Sequence, residues 1–167
     1  KVLVGDAEAL AVTVPLLLKD AKLTKKTEQF AVQSANGVDT IGFWQSPDDS
    51  VQWDFEAPVA GPYEIWMEMS HEGEGGRFQV QVGTKSVEAK VPNTGGFGTY
   101  RRVRVGTVLV EQTGKNSLAI KPLEIVGAAV MGLKDVSLRP ATVSSVILDT
   151  AAWEFRFPKH DLRFVRF

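Results

Sequence analysis

The sequence predicts an all-β fold, a two-sheet antiparallel β-sandwich. Three observations predict it: apolar and polar residues alternate with a period of two, glycine and proline turns separate the alternating runs, and no segment carries a helical stripe. Many short strands at regular spacing close into a sandwich or barrel.

The runs follow one another along the chain. Val51, Trp53 and Phe55 alternate with Gln52 and Asp54; Tyr63, Ile65, Met67 and Met69 alternate with Glu64, Trp66 and Glu68. Phe78, Val80 and Val82 alternate with Gln79 and Gln81, and Val103 and Val105 with Arg102 and Arg104. Successive strand side chains point to opposite faces, so Trp53, Phe55, Tyr63, Ile65, Phe78 and Val80 are expected in the core. Turns are expected at Ala60-Gly61-Pro62, Gly73 to Gly76, Gly83-Thr84, Asn93 to Gly98 and Gly114-Lys115-Asn116. About ten strands result, at roughly 16–23, 28–34, 40–44, 49–57, 62–70, 77–82, 85–91, 100–110, 116–121 and 129–138.

Composition narrows the function. The 167 residues suit one domain, and 44% hydrophobic with 23% charged residues is an ordinary globular mixture. A formal net charge of −1 lacks the basic surplus that phosphate neutralisation needs, so no nucleic-acid partner is expected. No apolar run reaches the roughly 18 residues of a membrane helix, so no membrane insertion is expected. The run from Val12 to Leu18 is short and holds Pro15. With no cysteine, disulfides, thiolate metal sites and cysteine nucleophiles are excluded, although no compartment is fixed. A chain opening on Lys1 is expected to be a mature form or an excised piece, from which any signal peptide would already be gone.

Three parts are expected: residues 1–14 as a linker or extra edge strand, residues 15–140 as the sandwich, and residues 141–167 as a strand-like tail. In that tail the alternating pieces Trp153 to Phe157 and Leu162 to Phe167 flank a hairpin-like Pro158-Lys159-His160-Asp161. It either extends the sandwich or begins another domain.

Four stretches, in order, carry a family resemblance. They are Ile41-Gly42-Phe43-Trp44 leading to Asp48-Asp49-Ser50-Val51-Gln52-Trp53; Ala60-Gly61-Pro62-Tyr63-Glu64-Ile65; Val91-Pro92-Asn93-Thr94-Gly95-Gly96-Phe97; and Leu133-Lys134-Asp135-Val136-Ser137-Leu138. Together they resemble the family 6 carbohydrate-binding modules and their relatives in the galactose-binding-like superfamily. The third stretch, close to that family's Val-Pro-x-Thr-Gly-Gly-Trp loop, is the most specific. The resemblance implies a jelly-roll sandwich that binds an oligo- or polysaccharide without catalysing a reaction. It implies an extracellular or periplasmic setting, usually beside a glycoside hydrolase, fucosidase or sulfatase domain.

The chemistry of sugars fits such a reading. A sugar presents an apolar face and a rim of hydroxyls, which call for flat aromatic platforms and a few polar groups. The resemblance points to Phe43 or Trp44 from the early turn and Phe97 from the glycine loop as the clamp. Asn93 and Thr94 in that loop, and His71 at the head of another, are candidate polar contacts. The family's last-loop Asn has no counterpart in Val126-Gly127-Ala128-Ala129-Val130. The competing expectation is that the three rings only plug the end of the core.

The resemblance also implies a structural calcium between the first and last strands, here near Asp20 and Asp135. Lys22 stands where a second acid is expected, so its ammonium is expected to replace the cation and pair with Asp20 or Asp135. No cofactor is therefore expected, with structural calcium as the alternative. Asp48-Asp49 point to opposite faces and make a poor catalytic pair. Two distant histidines, His71 and His160, form neither a metal cluster nor a triad. Three readings stay open: a carbohydrate-binding accessory module, a structural or protein-interaction domain that has lost sugar binding, and, last, a small hydrolase. One fold serves many functions.

Overall fold

In a computed structural model, residues 12–141 are described, and these form eleven strands and one short 3₁₀ turn. The strands are β1 (Val14–Pro15), β2 (Lys22–Thr24), β3 (Ala31–Ala35), β4 (Val38–Gly42), β5 (Ser50–Ala57), β6 (Gly61–His71), β7 (Arg77–Val82), β8 (Lys85–Lys90), β9 (Gly96–Val110), β10 (Gly114–Glu124) and β11 (Gly132–Pro140). One sheet runs β3-β4-β11-β6-β9, with β1 also paired to β11. The other runs β2-β5-β10-β7-β8, and every pairing is antiparallel. The predicted two-sheet sandwich is the observed fold.

Alternation delivers the core. Trp53, Tyr63, Ile65, Phe78 and Val80 are fully buried, and Phe55 nearly so. They meet Ile120, Leu118, Met67 and Val136 from the neighbouring strands in one apolar cluster. Burying each such side chain contributes roughly 1.5–3 kcal/mol.

Two expectations about the early strands change. The strand expected at 16–23 is broken: β1 pairs with β11 in one sheet and β2 with β5 in the other, across the 3₁₀ turn Leu18–Asp20. The chain changes sheets there, with Leu16 and Leu18 plugged into the core as it crosses. The pair expected at 28–34 and 40–44 is a tighter hairpin, β3–β4, closed by Asn36 (φ 53°) and Gly37 (φ 75°). Positive φ at both central positions is the primed turn whose twist matches a hairpin, and Asn-Gly is its preferred dipeptide.

The strand-like pieces expected within 142–167, His160 with them, and the segment 1–11 lie outside the described residues.

Candidate functional site

One end of the sandwich carries a cavity of about 310 Å³. Its walls come from three places: the β3–β4 hairpin and the turn after it (Gln33, Thr40, Phe43, Gln45), the start of β9 (Phe97, Tyr100), and the last loop into β11 (Ala128, Ala129, Met131, Gly132). The backbone ties the first and third together, since the Val130 N–H donates to the Trp44 carbonyl at 2.9 Å.

Phe43 and Phe97, predicted from separate segments, line this one cavity. Phe43 is 49% exposed and adopts φ 54°, a left-handed backbone unusual for a bulky residue. Phe97 is half-buried, its ring packed against the His71 imidazole with centroids 5.1 Å apart. Gly95 and Gly96 ahead of it take φ 89° and 148°, a path that suits glycine.

Trp44 is placed otherwise than as a platform. Its ring is fully buried against Phe30, 4.9 Å between centroids, and its Nε1–H donates to the Asp49 carbonyl at 3.0 Å. After the left-handed turn at Phe43 the chain redirects, so one of the two neighbouring rings faces water and the other the core. The Asp49 side chain is buried too. It accepts from the Lys26 and Thr27 backbone N–H groups and from the Thr27 hydroxyl, pinning the loop at 25–27.

His71, Asn93 and Thr94 support the cavity from behind and do not line it. His71 is buried, with Nε2 3.0 Å from both the Val126 and Ala129 carbonyls. Carbonyls only accept, so Nε2 carries the proton and donates to the last loop. The Thr94 hydroxyl accepts from the His71 N–H at 2.9 Å and lies within reach of the His71 and Gly96 carbonyls. The Asn93 carboxamide oxygen accepts from the Gly95 N–H at 2.8 Å, a local turn that shapes the glycine loop.

Tyr100, Gln33, Thr40 and Gln45 supply the polar rim, and sequence reasoning missed them. Gln33 and Thr40 sit directly opposite in the hairpin register, so they share a face. Tyr100 escaped because alternation fails there: His71 pairs with Gly96 but Met69 with Arg101, so β9 carries extra residues. That bulge brings Phe97 and Tyr100, three apart, to one cavity. Gly132 forms the floor: a Cβ there would sit 2.5 Å from the Ser70 hydroxyl and 3.2 Å from the Tyr100 hydroxyl.

Of three larger depressions among the described residues, one of about 560 Å³ lies beside Leu16, Leu17 and Asp135 and holds no aromatic residue, and two, about 550 and 710 Å³, lie on the five-stranded sheet and its edge loops. Gln52, Gln81, Ser117 and Lys121 line one, and Asp54, Glu56, Lys115 and Asn116 the other. Neither presents an exposed aromatic ring, so neither offers a sugar platform.

Lys22 pairs with Asp54 at 2.5 Å and not with Asp20 or Asp135, because the β2–β5 register sets it opposite Gln52, next to Asp54. Asp135 faces Arg102 at 3.9 Å. Among the described residues no group of three or more His, Asp or Glu could hold a metal ion. No helix among them is long and apolar enough to cross a membrane.

Comparison with known proteins bears on the fold. Residues 23–143 match the family described as "Domain of unknown function (DUF5077)". No curated protein matches the chain. Among solved structures, the C-terminal family 6 carbohydrate-binding module of LamC, a marine laminarinase from Zobellia galactanivorans, superposes with TM-score 0.61 at 18% identity, covering 77% of this chain and 99% of the other. A family 35 carbohydrate-binding module from Clostridium thermocellum gives TM-score 0.59 at 14% identity, over 77% of this chain and 98% of that module. The module of Cellvibrio mixtus lichenase 5A, solved with cellotriose, gives 0.58 at 18% identity, over 78% and 97%. The chain belongs to the DUF5077 family, and its fold is the galactose-binding-like β-sandwich shared with these modules.

Proposed function

We propose that this domain is a non-catalytic carbohydrate-binding module that serves a secreted glycan-processing protein, holding sugar in the cleft between Phe43 and Phe97. The observation that carries the reading is Phe43 itself. A large apolar ring, half-exposed on a strained backbone beside a second ring and a rim of neutral polar groups, suits stacking against a sugar face. A lining without Asp, Glu or His supports the non-catalytic reading. The folds superposed above belong to carbohydrate-binding modules, which supports the reading by analogy. Asp20 and Asp135 hold no calcium in this proposal.

The test is titration of the wild type, Phe43→Ala and Phe97→Ala with a panel of soluble oligosaccharides. Wild-type binding is expected near millimolar, because the last loop offers Ala128, Ala129, Met131 and Gly132 to the cavity and no polar side chain. Losing one stacking ring costs roughly 1–3 kcal/mol, about tenfold to a hundredfold in affinity. Equal binding by all three proteins moves the site elsewhere.

A structural or protein-interaction role on the same fold is the second reading, favoured by that apolar last loop. Absence of binding across a broad panel of glycans selects it.

A further inference from the structure

We infer, resting on the glycan-binding reading of this cleft, that its ligand is an uncharged sugar oriented by the Tyr100 hydroxyl, and that acidic sugars are excluded. The lining is aromatic, aliphatic, amide and hydroxyl, without a charged side chain. A carboxylate or sulfate entering such a cavity sheds water without gaining a counter-charge, which is unfavourable. Lys134, beside Tyr100, is already engaged. Its ammonium donates to Glu68 at 2.7 Å and lies over the Tyr100 ring, 5.6 Å from the centroid.

Tyr100 fills the role left open by the apolar last loop. Its hydroxyl reaches the cavity floor, as its 3.2 Å approach to a Cβ on Gly132 shows. The other hydroxyls behind that floor have structural duties. Ser70 donates to the Phe97 carbonyl at 2.7 Å, and Thr94 is held by the His71 backbone. The Lys134 ammonium over the ring face and Gly132 beneath the hydroxyl fix where the phenol points. One phenol both gives and accepts a hydrogen bond, matching a sugar hydroxyl. Gln45 and Gln33 add amides that also do both.

The experiment titrates the whole chain with matched oligosaccharides of equal length, glucose- and galactose-based against glucuronate- and galacturonate-based. These differ only by a hydroxymethyl or a carboxylate. The neutral series is expected to bind at least about tenfold more tightly. Tyr100→Phe keeps the ring and should weaken neutral binding about three- to tenfold at an unchanged melting temperature. Gln45→Lys, an exposed change that leaves the fold intact, should raise affinity for the uronate series. Uronates binding as tightly as neutral sugars, Tyr100→Phe binding like wild type, or Gln45→Lys leaving uronate affinity unchanged would each overturn the inference while leaving glycan binding standing. No binding by either series to the wild type overturns both.

Discussion

At the scale of single residues, Phe43 joins two unfavourable features, exposure and a left-handed backbone. A bulky residue at positive φ costs roughly 1–2 kcal/mol, whereas Asn tolerates it. Phe43→Asn is therefore expected to stabilise the fold by about 1 kcal/mol while removing the platform. Thermal melting together with an oligosaccharide titration checks both halves. A lower melting temperature would show that the ring packs against the core end, and unchanged oligosaccharide affinity would show that it is no platform. His71 carries the opposite expectation. Its Nε2–H serves two loop carbonyls and its ring backs Phe97. His71→Ala leaves those acceptors unpaired beside a void, at about 2–4 kcal/mol by denaturant titration.

At the scale of elements, cross-strand ion pairs cover the outer face of β6, β9 and β11. Glu64 meets Arg104 at 2.8 Å, and Glu68 meets Lys134 at 2.7 Å. The Trp66 indole N–H and then the Arg104 guanidinium hold the Glu64 carboxyl below its ordinary 4.5. The hydrogen bond to Glu68 raises Lys134 above its ordinary 10.5. A lowered carboxyl contributes stability above about pH 4.5, lost as pH falls through the depressed folded value. A raised amine contributes below about pH 10.5, lost as pH climbs through the elevated one. Both windows contain neutrality, so melting temperature should be flat from about pH 5 to pH 10 and decline on either side. The groups are partly solvent-exposed, so the declines should be shallow and partly erased by 1 M salt. Steep titration near neutral pH at low salt would show that another group dominates.

Elements also show where sequence reasoning holds. Period-two alternation located β5, β6 and β7 to within a residue or so, because each buries one face against the same core. It failed where pairing partners decide the outcome. Leu16 and Leu18 alternate across a change of sheet, so their period is intact while the strand is broken. Tyr100 was hidden by the bulge in β9, and the Lys22–Asp54 pair by the β2–β5 register. In the site, Phe43 and Phe97 were legible from the glycine-flanked motifs. Whether Phe43 or Trp44 turned outwards depends on a single φ angle, which no composition rule supplies.

At the scale of the whole molecule, the chain from β1 to β2 acts as a strap between the sheets, where related modules are expected to use calcium. Here the strap is held by its own backbone and by apolar anchors. The Leu16 N–H donates to the Val136 carbonyl at 2.9 Å, and the Trp53 indole N–H donates to the Leu17 carbonyl at 2.9 Å. Leu16 and Leu18 reach into the core beside these two bonds. Lys22, paired with Asp54, stands beside this strap where the resemblance placed a second acid. A chelator is thus expected to leave the melting temperature unchanged, and added calcium to leave it unchanged as well. Leu18→Ala, by contrast, opens a void at the crossing and should cost about 2–5 kcal/mol. Trp53→Phe removes one buried donor and leaves the Leu17 carbonyl unpaired, for about 1–3 kcal/mol. Melting all three proteins with and without chelator separates the possibilities. A drop of several degrees on chelation, reversed by calcium, would show that Asp20 or Asp135 gathers an ion after all, and the strap would then be the lesser of two staples.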